Sequence, residues 1–215
     1  FSWGDLEAQK RLLDQLDTHI GSLVTFEKDE YKSFEGASSF IFDYTISSIG
    51  PSPRYRELQS HARKIGMKTY ARTESSQAIE MWNIPRIPVM QRWAQRFKAL
   101  REKPLNGVHT AWRFYGFCSQ RTDEIVDYFT WAGKPDINAL MHRMAARDFG
   151  PQAADHVVAA WQKFSDTLAI FPFSAGLTGF PYFRGPFKIG PAQPLIWDTT
   201  YPAGLSDRFT GVDPS

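Results

Sequence analysis

Three acids in this chain each follow a short apolar run: Glu27 after Ser22–Phe26, Asp43 after Ser39–Phe42, and Glu74 after Met67–Ala71. A fourth run, Gly107–Ala111, ends at Trp112 and Arg113. Paired carboxyl groups about 5 to 9.5 Å apart flank the scissile bond in most glycoside hydrolysis. Neighbouring strands lie about 4.8 Å apart, so acids that end adjacent strands fall near that range. Flat rings beside such acids suit the apolar face of a pyranose. Glu27 and Asp43 are therefore the candidate catalytic carboxylates. Tyr44, Arg72, Glu74, Trp82, Trp112 and Tyr115 are candidate substrate contacts. Arg72 would hold an acid group of the substrate or orient Glu74. Each has a plainer alternative: an acid at a strand end also serves as a helix cap, a ring is usually core, and Arg72 makes an ordinary ion pair. Asp43-Tyr44 is the sharpest pair, because Asp43 stands where the burial of Ser39–Phe42 is expected to end.

Other chemistries leave little trace. The five histidines are scattered, with no His-Glu-x-x-His or Cys-x-x-Cys spacing, so no metal site is expected. No Gly-x-Gly-x-x-Gly follows a strand, no Walker loop occurs, and no Gly-x-Ser-x-Gly elbow is present, so no cofactor is expected. The net charge of +2 demands neither nucleic acid nor an anionic membrane. Arg92, Arg96, Arg101 and Lys103 read as the solvated outer face of a helix rather than a nucleic-acid surface. No apolar run approaches the ~18 residues of a membrane span, and no leader-like segment opens the chain. The single cysteine, Cys118, excludes an internal disulfide and leaves the compartment open, secreted or periplasmic included.

The elements that must position these residues alternate. Helices are expected over Asp5–Ile20, Arg54–Ile65 and Val89–Arg101, from apolar stripes such as Tyr55, Leu58, Ala62 and Ile65, or Val89, Trp93, Phe97 and Leu100. Between them fall the four strands. From Thr122 the alternation stops, and Asp123–Trp131, Asp136–Asp148 and Gln152–Ile170 read as helices. The last turns Val157, Val158, Trp161, Phe164 and Leu168 inward. Residues 171–215 hold seven of the fourteen prolines, with Phe173, Phe180, Tyr182, Phe183, Phe187 and Trp197. So aromatic a segment is expected to pack on the domain or a partner.

Strand–helix–strand connections of this length imply parallel strands with right-handed crossovers. The four strands are expected side by side in chain order. Their carboxyl ends would share one face, where ligands bind in such folds. The fold class is thus α/β: the C-terminal half of a (β/α)8 barrel over residues 1–121, a helical region over 122–170, and the aromatic tail over 171–215. A whole barrel needs about 250 residues. The chain, which opens on Phe, is therefore expected to be a piece of a longer protein or a processed product. Its uncovered strand edges would meet the N-terminal half of the same domain or another chain.

At Thr25-Phe26-Glu27-Lys28, Asp43-Tyr44-Thr45-Ile46-Ser47, Gly50-Pro51-Ser52-Pro53-Arg54, Lys68-Thr69-Tyr70-Ala71-Arg72-Thr73-Glu74, Ile87-Pro88-Val89 and Arg184-Gly185-Pro186, the chain resembles a group of bacterial proteins. These look like barrel glycoside hydrolases, loosely similar to the hexosaminidase and α-glucuronidase groups. The likeness spans roughly residues 1–200. It implies a (β/α)8 catalytic domain followed by a helical region, and it carries over no catalytic residue.

The function expected is hydrolysis of glycosidic bonds by paired carboxylates. The alternatives are a non-catalytic carbohydrate-binding or assembly domain, or a fragment that needs a partner chain. If Asp43 acts on sugar, Asp43→Asn in the full-length protein cuts hydrolysis or affinity and leaves the melting temperature nearly unchanged. If it only caps, Asp43→Ala costs ~0.5–2 kcal/mol of stability and leaves binding alone.

Overall fold

The computed structural model describes residues 5–34, 36–41, 44–75, 87–110, 121–131, 133 and 136–170. Helix α1 (Leu6–Gln15) begins at Asp5, whose carboxylate accepts a hydrogen bond from the Ala8 amide at 3.1 Å. None of its residues is fully buried. It lies on the next helix through Lys10–Glu57 at 3.2 Å and Asp14–His61 at 2.7 Å. It stops at Gln15, short of the Ile20 read from the apolar spacing: Leu16 turns extended, and Ile20 is half exposed.

Strand β1 (Ser22–Thr25) leads to a hairpin of β2 (Glu30–Phe34) and β3 (Ala37–Ile41). Helix α2 (Pro53–Lys64) follows, then strand β4 (Thr69–Thr73), helix α3 (Met90–Arg101) and strand β5 (Gly107–Thr110). Ser52 caps α2 by accepting from the Tyr55 amide at 3.2 Å, and Pro53 fits the first turn, where no amide donor is needed. On α2, Tyr55, Leu58 and Ala62 are buried, as their spacing requires.

The fold is mixed α/β with a small parallel sheet. Its order is β1-β4-β5, with Thr25 opposite Arg72 and Arg72 opposite His109. This corrects the order read from the alternation. The segment expected as the second parallel strand, Ser39–Phe42, supplies part of β3, which runs antiparallel to β2. The reason is length: the polar stretch after Glu27 is too short for a crossover helix, and only a hairpin joins strands over so few residues. Nor is that strand covered along its length, since Phe40 is 41% exposed, while Ile41, at its end, is fully buried. The described strands form no closed barrel.

Strand β4 alternates strictly. Thr69, Ala71 and Thr73 are buried, while Tyr70 and Arg72 are half-buried on the other face. Tyr70 lies between two glycines: a Cβ at Gly21 would come within 2.5 Å of its ring, and one at Gly107 within 3.1 Å. Those absent side chains make room for a ring laid across the sheet.

Val89 and α3 form the middle of the core. Val89, Trp93, Phe97 and Leu100 are all buried, in one cluster with Phe26, Tyr55 and Ala71 on the sheet side and Ile125, Met141, Met144 and Trp161 on the other. Those last residues belong to α4 (Arg121–Thr130), α5 (Ile137–Phe149) and α6 (Ala154–Ala169), the last preceded by a 3-10 turn at Pro151–Ala153. Arg101 closes α4 by donating to the carbonyls of Phe129 and Trp131 at 2.9 and 2.6 Å. Arg147 grips both carboxylate oxygens of Glu124, at 2.6 and 2.8 Å, and holds α5 to α4. The hydrogen bonds from Arg147, helped by Arg121, keep the Asp148 carboxyl below the ordinary carboxylate range. Phe164, expected inward, is 51% exposed; Ser165 takes the inward position, where its hydroxyl donates to the Gln91 amide oxygen on α3 at 3.1 Å.

Gly50 joins the sheet to α2 with φ +77, and an added Cβ would meet the buried Phe26 ring at 2.6 Å. Gly50→Ala is therefore expected to lower stability by about 1–3 kcal/mol, read as a fall in the denaturation midpoint. An unchanged midpoint would show that the Phe26 ring, packed edge-on against Tyr55 with centroids 4.8 Å apart, yields freely.

Candidate functional site

The parallel sheet ends at residues with chemistry. Beyond β1 the ladder runs one bond further, from the Phe26 amide to the Arg72 carbonyl at 2.9 Å, and Glu27, Lys28 and Asp29 follow. Beyond β4 come Glu74 and Ser75. The pairing ends with Thr25 opposite Arg72 and that one further bond, and the Phe26 carbonyl accepts instead from the Ser52 amide at 2.8 Å. The two acids leave neighbouring strands, whose spacing is about 4.8 Å. Glu27, Lys28, Glu74 and Ser75 are all buried.

Glu27 has no exposed surface, and neither has Arg96, which meets it at 3.2 Å. The other Glu27 oxygen accepts from the Thr73 hydroxyl at 3.0 Å. Arg96 reaches five acceptors with its five N–H bonds. Besides Glu27 they are the Thr73 hydroxyl oxygen at 3.4 Å and the carbonyls of Ile49 at 3.3 Å, Thr45 and Ser48. One turn earlier Arg92 donates to the carbonyls of Ile46 and Ser47, both at 2.6 Å. Two arginines on one helix thus take the carbonyls of all five residues from Thr45 to Ile49.

Tyr44 opens that stretch. Its ring lies under the Arg72 guanidinium, 4.8 Å from centroid to Cζ, a cation–π contact made by two of the expected substrate residues. Asp29 has φ 59 and turns the chain into the hairpin; its carboxylate lies 3.3 Å from Arg54, and its amide donates to the Ile41 carbonyl at 2.7 Å. The Ser48 hydroxyl bonds Glu30 at the hairpin's foot.

Of the residues singled out in the sequence, Glu27, Tyr44, Arg72 and Glu74 gather at this end of the sheet. Asp43, Trp82, Trp112 and Tyr115 lie outside the described residues. The strand that leads to Asp43 belongs to the hairpin, so the neighbouring-strand argument passes from Glu27–Asp43 to Glu27–Glu74.

Sequence reasoning missed Arg92 and Arg96, and read them as solvated. The structure buries both. The signal was present: at 100° per residue Arg96 falls about 20° from Val89, at the border of the arc that Val89, Leu100, Trp93 and Phe97 span, and Arg92 about 60° from Val89 on the same side. The solvated side of α3 is marked instead by Gln95 and Lys98. An arginine buried at the border of an apolar arc needs acceptors brought to it, and the carbonyls from Thr45 to Ile49 are that set.

Among the described residues no three His, Cys, Asp or Glu side chains are grouped to hold a metal ion, and no helix is long and apolar enough to cross a membrane. No protein-family model, curated protein or solved structure matches the chain.

Removing one partner of a buried ion pair strands the other's charge, at a cost of about 3–5 kcal/mol. Arg96→Met is expected to destabilise the fold on that scale in chemical denaturation. Arg96→Lys should recover little of it, because an ammonium lacks the planar fork that reaches so many acceptors. Full recovery by lysine would mean that charge alone matters at this position.

Proposed function

We propose that the chain is the carbohydrate-active half of a (β/α)8-type domain, with chemistry at the carboxyl ends of β1 and β4. The observation that carries this reading is the placement of two acids, Glu27 and Glu74, just beyond the carboxyl ends of the adjacent parallel strands β1 and β4. Parallel α/β folds bind ligands at that end. Acids on neighbouring strands give the short separation that glycosidic cleavage through a covalent intermediate employs, about 5–5.5 Å.

The roles divide by surroundings. Both oxygens of Glu27 are engaged, by Arg96 and Thr73. Such a carboxylate suits electrostatic support of positive charge developing on a sugar ring. Glu74 is then the residue for direct attack or proton transfer, with Asp43 as a further candidate acid. Arg72 and Tyr44 would bind the sugar beside them, joined by Trp82, Trp112 and Tyr115. The uncovered side of the sheet would be met by the other half of the domain or by another chain.

A second reading is non-catalytic carbohydrate binding or assembly. It is favoured by the sequestration of Glu27, which is buried and fully engaged by its own protein.

Hydrolysis of a panel of aryl glycosides by the full-length protein separates the two. Glu74→Gln is expected to reduce turnover by about 10²–10⁴-fold while the melting temperature stays within a few degrees. Sugar binding without turnover in the wild type would favour the second reading. Turnover unchanged in Glu74→Gln would remove Glu74 from the chemistry.

A further inference from the structure

The β2–β3 hairpin carries a surface that the carboxylate pair does not explain. Tyr31 and Phe40 face each other across it, with ring centroids 5.2 Å apart and planes tilted by 52°. They are 73% and 41% exposed. The next pair on the same face is Ser33 opposite Ser38, both exposed. The alternate face turns Ile41 into the body, where it is fully buried. The outward face is therefore two rings followed, about 7 Å along the strands, by two hydroxyl side chains.

We propose that this face is a stacking subsite for a pyranose ring of a bound oligosaccharide, a proposal that rests on the carbohydrate reading above. Two features select a sugar over a purely apolar partner. A pyranose has an apolar C–H face and a rim of hydroxyls, and the hairpin offers rings and hydroxyls at matching distance. The hairpin also rises from the candidate site itself. It starts at Glu30, three residues beyond Glu27, and is pinned by the Asp29 amide to the Ile41 carbonyl and by Ser48 to Glu30. The proposed subsite would hold further units of an oligosaccharide bound at the sheet end. Cross-strand aromatic pairs also stabilise hairpins, so the test needs a variant that keeps the strand and another that keeps the ring.

Tyr31→Thr keeps β-propensity and removes the ring; Tyr31→Phe keeps the ring and removes the hydroxyl. Binding of cello-, xylo-, chito- and malto-oligosaccharides of four to six units to the full-length protein is measured by calorimetry, beside hydrolysis of an aryl monoglycoside. Tyr31→Thr is expected to weaken oligosaccharide binding about tenfold, to leave the monoglycoside reaction unchanged, and to be rescued by Tyr31→Phe. Equal oligosaccharide affinity in wild type and Tyr31→Thr overturns the subsite and spares the carbohydrate reading. If the wild type binds none of the four series, both fall. A change from dimer to monomer in Tyr31→Thr with sugar affinity unchanged would make the face a self-association surface and also overturn the subsite.

Discussion

The structure depends on a guanidinium that has been taken entirely out of water. Burying a charge of that size costs several kcal/mol even after relaxation, and the cost is offset only when every donor is matched. Arg96 is matched fivefold: by Glu27, by Thr73, and by the carbonyls of Thr45, Ser48 and Ile49. Three parts of the chain distant in sequence must therefore arrive together: the end of β1, the end of β4, and the stretch before α2. None of them can be placed correctly without the others. That requirement, more than apolar contact, specifies how the strand ends meet α3, since apolar side chains tolerate repacking and a buried charge does not.

Helix α3 passes this order in the other direction as well. Its Gln91 donates to the Val158 carbonyl at 3.2 Å and accepts from Ser165, so α6 is fixed to the helix that fixes the strand ends. Its Arg101 closes α4. One helix thus binds the sheet on one side and the helical layer on the other by polar contacts as well as through Trp93, Phe97 and Leu100. The helices beyond residue 121 are a brace for the sheet end rather than an appendage.

Much of the element pattern was legible in the sequence. The stripes of α2 and α3 and the extent of α5, expected over Asp136–Asp148 and found at Ile137–Phe149, follow from spacing that the residue types dictate. The pairing of strands was less so. Ser39–Phe42 looked like one more parallel strand because periodicity reports that a segment is extended and not what it pairs with. Only the short link from Glu27 pointed to a hairpin. The site was legible in its acids and hidden in its cations. Glu27 and Glu74 announce themselves at strand ends, whereas Arg92 and Arg96 were taken for solvated side chains by composition. Their acceptors are backbone carbonyls, and carbonyls have no letter in a sequence.

The clamp on those carbonyls also sets the direction of the peptide units between them. In a trans peptide the N–H points opposite to the C=O, and the units from Thr45 to Gly50 are trans. Turning the carbonyls of residues 45–49 toward α3 therefore turns the amides of residues 46–50 away from it. The Ser47 amide meets the Thr45 hydroxyl at 2.9 Å within the same stretch. The loop is thus polarised across its width, its negative edge spent inside on two cations and its positive edge turned the other way.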